Sequence, residues 1–168
     1  MFSNTITVFN YHKPTDSWYA TVFHGVNLSN RSTANATAER GHVNNSSISV
    51  TIRVRSGSSS MILDPFGIGG GTIADETKIH YKDKFTPVDK IYVPPKEFEK
   101  LSDPNNYFTF KPECDFMMIG DHPIDFPEPD DRGMDGFYNE MNTEHDGVFM
   151  ISSAEYFTLL PHFEIGGR

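Results

Sequence analysis

The chain has 168 residues, 14 of them basic and 23 acidic, for a net charge of −9. A chain of this length buries enough surface to fold as one domain with no disulfide or metal staple, and 37 % hydrophobic residues is too apolar for full disorder. The single cysteine, Cys114, excludes an intramolecular disulfide framework and a four-thiolate zinc site, and no apolar run approaches the roughly 20 residues that span a bilayer.

The opening MFSNTITVFN lacks the basic and apolar regions of a signal peptide, so a soluble protein of a reducing compartment with no membrane partner is expected. A first strand is predicted over 5–9, where Thr5 and Thr7 alternate with Ile6 and Val8 before a turn-prone stretch ending at Pro14. A second run, 18–28, is aromatic and β-branched, with Gly25 as a bulge candidate. Residues 30–47 read as a polar loop. The clearest signal follows: Ile48, Val50, Ile52 and Val54 alternate with Ser49, Thr51, Arg53 and Arg55, which puts four aliphatics on a core face and both arginines outside.

Residues 56–78 form a second loop, carrying SGSSS and Gly67-Ile68-Gly69-Gly70-Gly71. A phosphate loop needs Gly-Lys-Ser/Thr opening a helix; no lysine follows until Lys78, so a hinge or loop tip is the better reading. Short strands are predicted at 90–93, 107–110, 115–119, 148–152 and 155–160. One helix of at most two turns is predicted at 95–101, with Pro95 in its first turn and Phe98 and Leu101 on one face. The third loop, 121–146, contains Pro123, Pro127 and Pro129, which oppose regular pairing. The sum is a single mainly β domain over 1–168, a small antiparallel barrel or sandwich with long loops and at most one short helix.

Charge is concentrated in one place. Between Asp115 and Val148 ten acids face one base, Arg132, so this stretch carries the whole −9. A solvated acidic loop is the plainest reading. Sharper ones are a divalent-cation site, a face for a basic partner, or a wall that repels DNA; nucleic-acid binding through this face is disfavoured because phosphates need cations. Asp121-His122 and Glu144-His145-Asp146 bracket the loop, which makes Asp121, His122, His145 and Asp146 weak candidates for metal ligands if they meet across it. Cys114, between Glu113 and Asp115, is expected to be an inert strand residue, since flanking carboxylates suppress its thiolate. The serines lack a Gly-x-Ser-x-Gly context. No catalytic or cofactor-binding residue emerges, and a non-enzyme without cofactor is expected.

Both ends of the chain resemble a family. Ile6-Thr7-Val8-Phe9-Asn10, then Trp18-Tyr19-Ala20-Thr21-Val22, Gly25-Val26 and Ile52-Arg53-Val54, resemble the opening of small tailed-phage and prophage proteins encoded among head–tail joining genes. Gly120-Asp121 matches a Gly-Asp step of that family, and Leu160-Pro161-His162-Phe163-Glu164-Ile165-Gly166-Gly167 is similar to its closing motif; Arg55 stands where the family has proline. The resemblance implies a virion structural protein of the neck, a stopper (head-completion) subunit. Its partners would be copies of itself in a six- or twelve-fold ring, the portal or adaptor, and the tail terminator or tail tube. DNA would be only non-specific contents of the lumen, and the protein would pass through the host cytoplasm during assembly. On that reading Asp125, Glu128, Asp130, Asp131 and Asp135 are channel-facing candidates. A docking tail over 161–168, with Leu160, Pro161, His162, Phe163, Ile165, Gly166 and Gly167 as assembly residues, competes with a plain final barrel strand. A tail terminator or minor tail protein is the alternative within the class. Outside it stand a metal-dependent hydrolase using the Asp/His set and a carbohydrate-binding module using Trp18, Tyr19, Phe137 and Tyr138.

Overall fold

In the computed structural model, which describes residues 4–32, 46–53, 79–81, 90–124, 128–129, 136–160 and 162–168, β1 (Asn4–His12) and β2 (Ser17–Ser32) form an antiparallel hairpin. A single 3-10 turn at Lys13–Thr15 joins them, with Pro14 fixing φ at its start and Asp16 closing it at φ 49°. The phenol of Tyr11 donates to the Asp16 carboxylate and holds that turn against the strand. The remaining elements are β3 (Ser46–Arg53), β4 (Ile79–Tyr81), β5 (Lys90–Tyr92), α1 (Pro95–Phe98), β6 (Tyr107–Phe108), β7 (Phe116–Ile119), β8 (Glu128–Pro129), α2 (Gly136–Glu144), β9 (Val148–Phe157) and β10 (His162–Gly167).

Six of these strands close into an antiparallel barrel in the order β1-β7-β9-β10-β3-β2, with β2 returning to β1. Closure leaves none of the six with a free edge along its paired length, which is how a small β protein avoids sticking to other sheets. β8 lies beside the first two residues of β2, and β4, β5 and β6 make a separate three-stranded sheet. The amine of Lys90 on β5 ties this sheet to β2, donating to the Ala20 carbonyl at 2.8 Å and the Thr21 hydroxyl at 3.2 Å; burial pulls its pKa down to about 8.

The barrel interior follows the period of two. Ile6 and Val8, Ile48, Val50 and Ile52, Met117, and Phe163 and Ile165 point inward. Phe108 and Phe110 enter from the β6 segment and pack on Phe23 and Phe163, with ring centres 5.1 Å (Phe23–Phe108) and 5.0 Å (Phe110–Phe163) apart. Both long strands switch faces midway. In β2 the inward residues are Phe23, then Val26 and Leu28; the register against β1 skips Gly25, which sits at φ 67°. That bulge is the one the glycine suggested, and only glycine adopts such a φ without strain. In β9 the inward set passes from Phe149 and Ile151 to Ala154 and Tyr156, and the register against β10 skips Ser152. One strand therefore runs where two, 148–152 and 155–160, are expected from sequence: the phase change at Ser152 looks like a break when alternation is read along the chain.

A second apolar layer lies outside the barrel wall. Phe9, Tyr11, Trp18, Phe116 and Met118 face away from the interior and are covered by Phe137 of α2, with Tyr138, Met141 and Ile124 around it. Phe9 stacks on Phe116 at 4.7 Å, and Trp18 meets Phe116 edge-on at 5.1 Å. This corrects the expectation of a bare acidic loop over 121–146, because two elements, β8 and α2, lie inside it. The physical reason is the apolar trio Phe137, Tyr138 and Met141, which shares one face of a helical turn and has a greasy wall to cover. Cys114 is likewise in the turn before β7 rather than in a strand.

The C-terminus is corrected as well. Residues 162–167 are not a docking tail; β10 is hydrogen-bonded to β9 on one side and β3 on the other. Its last glycine is fixed by packing. A Cβ on Gly167 would lie 2.4 Å from Met117 Cε and 2.9 Å from both Ile48 Cγ2 and Phe149 Cβ, so close packing demands glycine there. Arg168 then pairs through its backbone with Met150, and its guanidinium bonds both carboxylate oxygens of Glu113. The loop expectations over 56–78 and most of 30–47, with Val54, Arg55 and the glycine-rich tip, lie outside the described residues.

Candidate functional site

The surface feature that stands out is the turn between β9 and β10. Leu159 is 93 % exposed and Leu160 75 %, beside a half-covered Phe157 whose ring stacks on His162 at 4.8 Å and 8°. Two adjacent leucines cannot both face inward from an extended chain, and here the strand has already ended at Phe157, so neither does. Burial of a leucine side chain is worth about 1.5–3 kcal/mol, so leaving two in water is a standing cost that a partner surface would relieve.

Of the sequence-based assembly set, only Leu160 is presented in this way. Phe163, Ile165 and Gly167 are buried in the barrel, His162 and Gly166 are half-buried strand positions, and Pro161 lies outside the described residues. Leu159 is not among the residues expected from sequence, although Leu159-Leu160-Pro161 carries its signal: two neighbouring apolar residues ahead of a strand-breaking proline. Among the channel-facing candidates, Glu128 is a half-buried residue of β8 opposite Trp18; Asp125, Asp130, Asp131 and Asp135 lie outside the described residues.

The aromatic quartet proposed for carbohydrate is not a platform. Trp18 is fully buried, Tyr19 and Phe137 nearly so, and Tyr138 is half-covered against Phe116. A stacking surface must be open to a sugar ring, and these four side chains are not.

Beneath the β1–β2 turn lies a buried polar network. Asn10 Nδ2 donates to the Thr109 carbonyl at 2.7 Å and to Asp115 Oδ2 at 2.8 Å, while the backbone amides of Tyr11 and Lys111 donate to the same carboxylate at 3.1 and 2.9 Å. Complete burial pushes the Asp115 carboxyl up to about 7, against the pull of these donors and of the Lys111 charge. His12, also fully buried, has its pKa lowered, first by desolvation, with the Glu99 carboxylate and the Phe98 and Leu101 backbone opposing; its Nδ1 meets the Thr15 hydroxyl at 2.8 Å. Burial also raises the Cys114 thiol to about 11, with Asp115 adding to the shift, so thiolate chemistry is suppressed there. The network clamps β1 to the 109–115 turn, and Asn10, His12, Thr109 and Asp115 within it are fully buried.

The acidic segment's histidines do meet. His122, just after β7, and His145, just after α2, have ring centres 5.6 Å apart at 57°. Asp121 and Asp146 flank them on exposed positions. Among the described residues no three His, Cys, Asp or Glu side chains are gathered as a ligand set, so the four-residue site is assembled only as its histidine half.

Comparison of the chain with known protein families, with curated proteins and with solved structures finds no match.

Proposed function

We propose that the protein is a connector subunit of a tailed-phage neck, a stopper-type ring component that joins the portal or adaptor to the tail and retains packaged DNA. The observation that carries the reading is the bare Leu159-Leu160 turn on an otherwise closed barrel. A closed barrel cannot extend its sheet into a neighbour along its paired strands, so assembly must use protruding turns and loops, and this turn offers apolar surface with nothing described over it. The family resemblance supports the same reading from another side. Most of its segments fall on β1, β2, β3 and β10, which are neighbours in the barrel wall, and Gly120-Asp121 directly follows β7, so the shared pattern is that of a scaffold. The acidic segment, fastened to the outer wall by Phe137, would supply a negative surface along which DNA slides without sticking.

Loss of the gene from its phage tests this. A stopper predicts heads that package DNA, fail to hold it and lack tails, with free tails of normal length accumulating. Tails of irregular length beside intact, DNA-filled heads would instead make the chain a tail terminator or minor tail protein. Normal infectious particles would overturn the reading altogether. A metal-dependent hydrolase remains the reading from another class, kept by the His122–His145 approach alone; metal-stimulated turnover of any ester or phosphodiester by the purified chain would favour it.

A further inference from the structure

We propose that His122 and His145 form a two-histidine site for a borderline divalent cation such as zinc or nickel, which would staple the end of β7 to the end of α2. The inference does not depend on the neck reading.

The rings have the right separation. Two imidazoles on one tetrahedral ion, with metal–nitrogen bonds of about 2.0–2.1 Å, hold their ring centres about 5 Å apart and mutually inclined. The observed pair stands at 5.6 Å and 57°. Parallel stacking of the kind seen between Phe157 and His162 is absent here, so the pair is not held by ring overlap.

The two backbones are fixed before any ion arrives. The His122 amide donates to the Thr7 hydroxyl at 2.9 Å, and that hydroxyl donates to the Gly120 carbonyl at 2.9 Å. The His145 amide donates to the Met141 carbonyl at 3.0 Å, closing α2, and two residues on the Gly147 carbonyl accepts from the Ile119 amide at 3.0 Å. His122 Nε2 lies 3.2 Å from the Ile119 carbonyl. A carbonyl at that distance keeps the proton on Nε2 and leaves Nδ1 with its lone pair, the arrangement by which proteins usually prepare a histidine ligand. Imidazole nitrogen selects zinc, nickel or copper over magnesium or calcium. The surrounding segment carries −9, and Asp121 and Asp146 adjoin the two histidines, so cations are concentrated where the ligands stand. Two protein nitrogens leave the other positions to water, which puts affinity in the micromolar range or weaker.

The test is calorimetric titration of the full chain with zinc and with nickel, paired with thermal melts in EDTA and in 1 mM zinc. One site per chain and a melting point raised by about 5 °C are expected. His122→Ala and His145→Ala should each weaken binding at least about tenfold, while His24→Ala on β2 leaves it intact. Melting of the variants in EDTA at the wild-type temperature shows that they fold. No binding by the wild-type chain at 1 mM zinc or nickel, equal binding by both variants, or a preference for calcium over zinc would each overturn the site.

Discussion

The inside of the barrel and the layer on its outer wall are both apolar, yet they are made differently. The interior is lined mainly by aliphatic residues from all six strands, so each strand donates a few side chains to a shared centre. The outer layer is a compact aromatic group, Phe9, Tyr11, Trp18, Phe116 and Phe137, resting on the β1, β2 and β7 wall and roofed by a single nine-residue helix. The interior therefore belongs to the whole barrel, whereas the roof depends on one element that itself buries one residue, Phe137. The contrast teaches that this barrel wall is two-sided: β1 has seven consecutive buried residues because it serves both layers.

The largest expected effect is that of Trp18→Ala. Trp18 is fully buried and meets Tyr11, Phe116 and Phe137 at 5.2, 5.1 and 5.7 Å, so its loss should cost about 3–5 kcal/mol in urea unfolding. A cost under 1 kcal/mol would mean the outer layer is not part of the cooperative fold. Phe137→Ala sharpens the point: α2 amides should lose hydrogen-exchange protection while β3 and β10 keep theirs.

The second effect is on pH dependence. Below about pH 4 Asp115 is protonated in both states. Between about 4 and 7 the unfolded chain releases that proton while the buried carboxyl keeps it, so stability falls as pH rises, by up to about 4 kcal/mol across the window. His12, buried in its neutral form, acts in the opposite sense, and stability is lost as pH falls through about 6.5. Asp115→Asn is neutral throughout; subtracting its profile from that of the wild type isolates the carboxyl. A difference rising with pH between 4 and 7 would contradict the upward shift.

Gly167→Ala comes third, at about 1–3 kcal/mol. Met117 Cε can swing away from the new methyl, but Ile48 Cγ2 and Phe149 Cβ sit on strands and cannot. A neutral result would mean that the end of β10 is not closely packed against β3 and β9.

The barrel was readable where alternation is unbroken, as at Ile48, Val50 and Ile52, and where a glycine marks a bulge, as at Gly25. It was not readable where parity changes without a glycine, so the bulge at Ser152 split β9 in two. α2 was hidden by its setting: Phe137, Tyr138 and Met141 stand in a stretch dominated by acids and prolines, and nothing local tells that the outer face of β1 and β7 needs covering. Gly166-Gly167 are open to a docking-tail reading because the crowding that requires glycine at 167 comes from β3, β7 and β9, far away in sequence. The approach of His122 to His145 was legible as a bracket around the loop, but the exposed Leu159 was not singled out.

The smallest effect on stability is expected from Leu159→Asp with Leu160→Asp, within about 0.5 kcal/mol, because both side chains already stand in water. The same pair is the most direct probe of the central claim that this turn exists to grip other particle components. On the connector reading, co-sedimentation of the purified chain with the emptied, tailless heads assembled without its gene should recover the wild-type protein in an oligomeric complement and leave the double variant in the supernatant. Equal recovery of both proteins, or of neither, would contradict it.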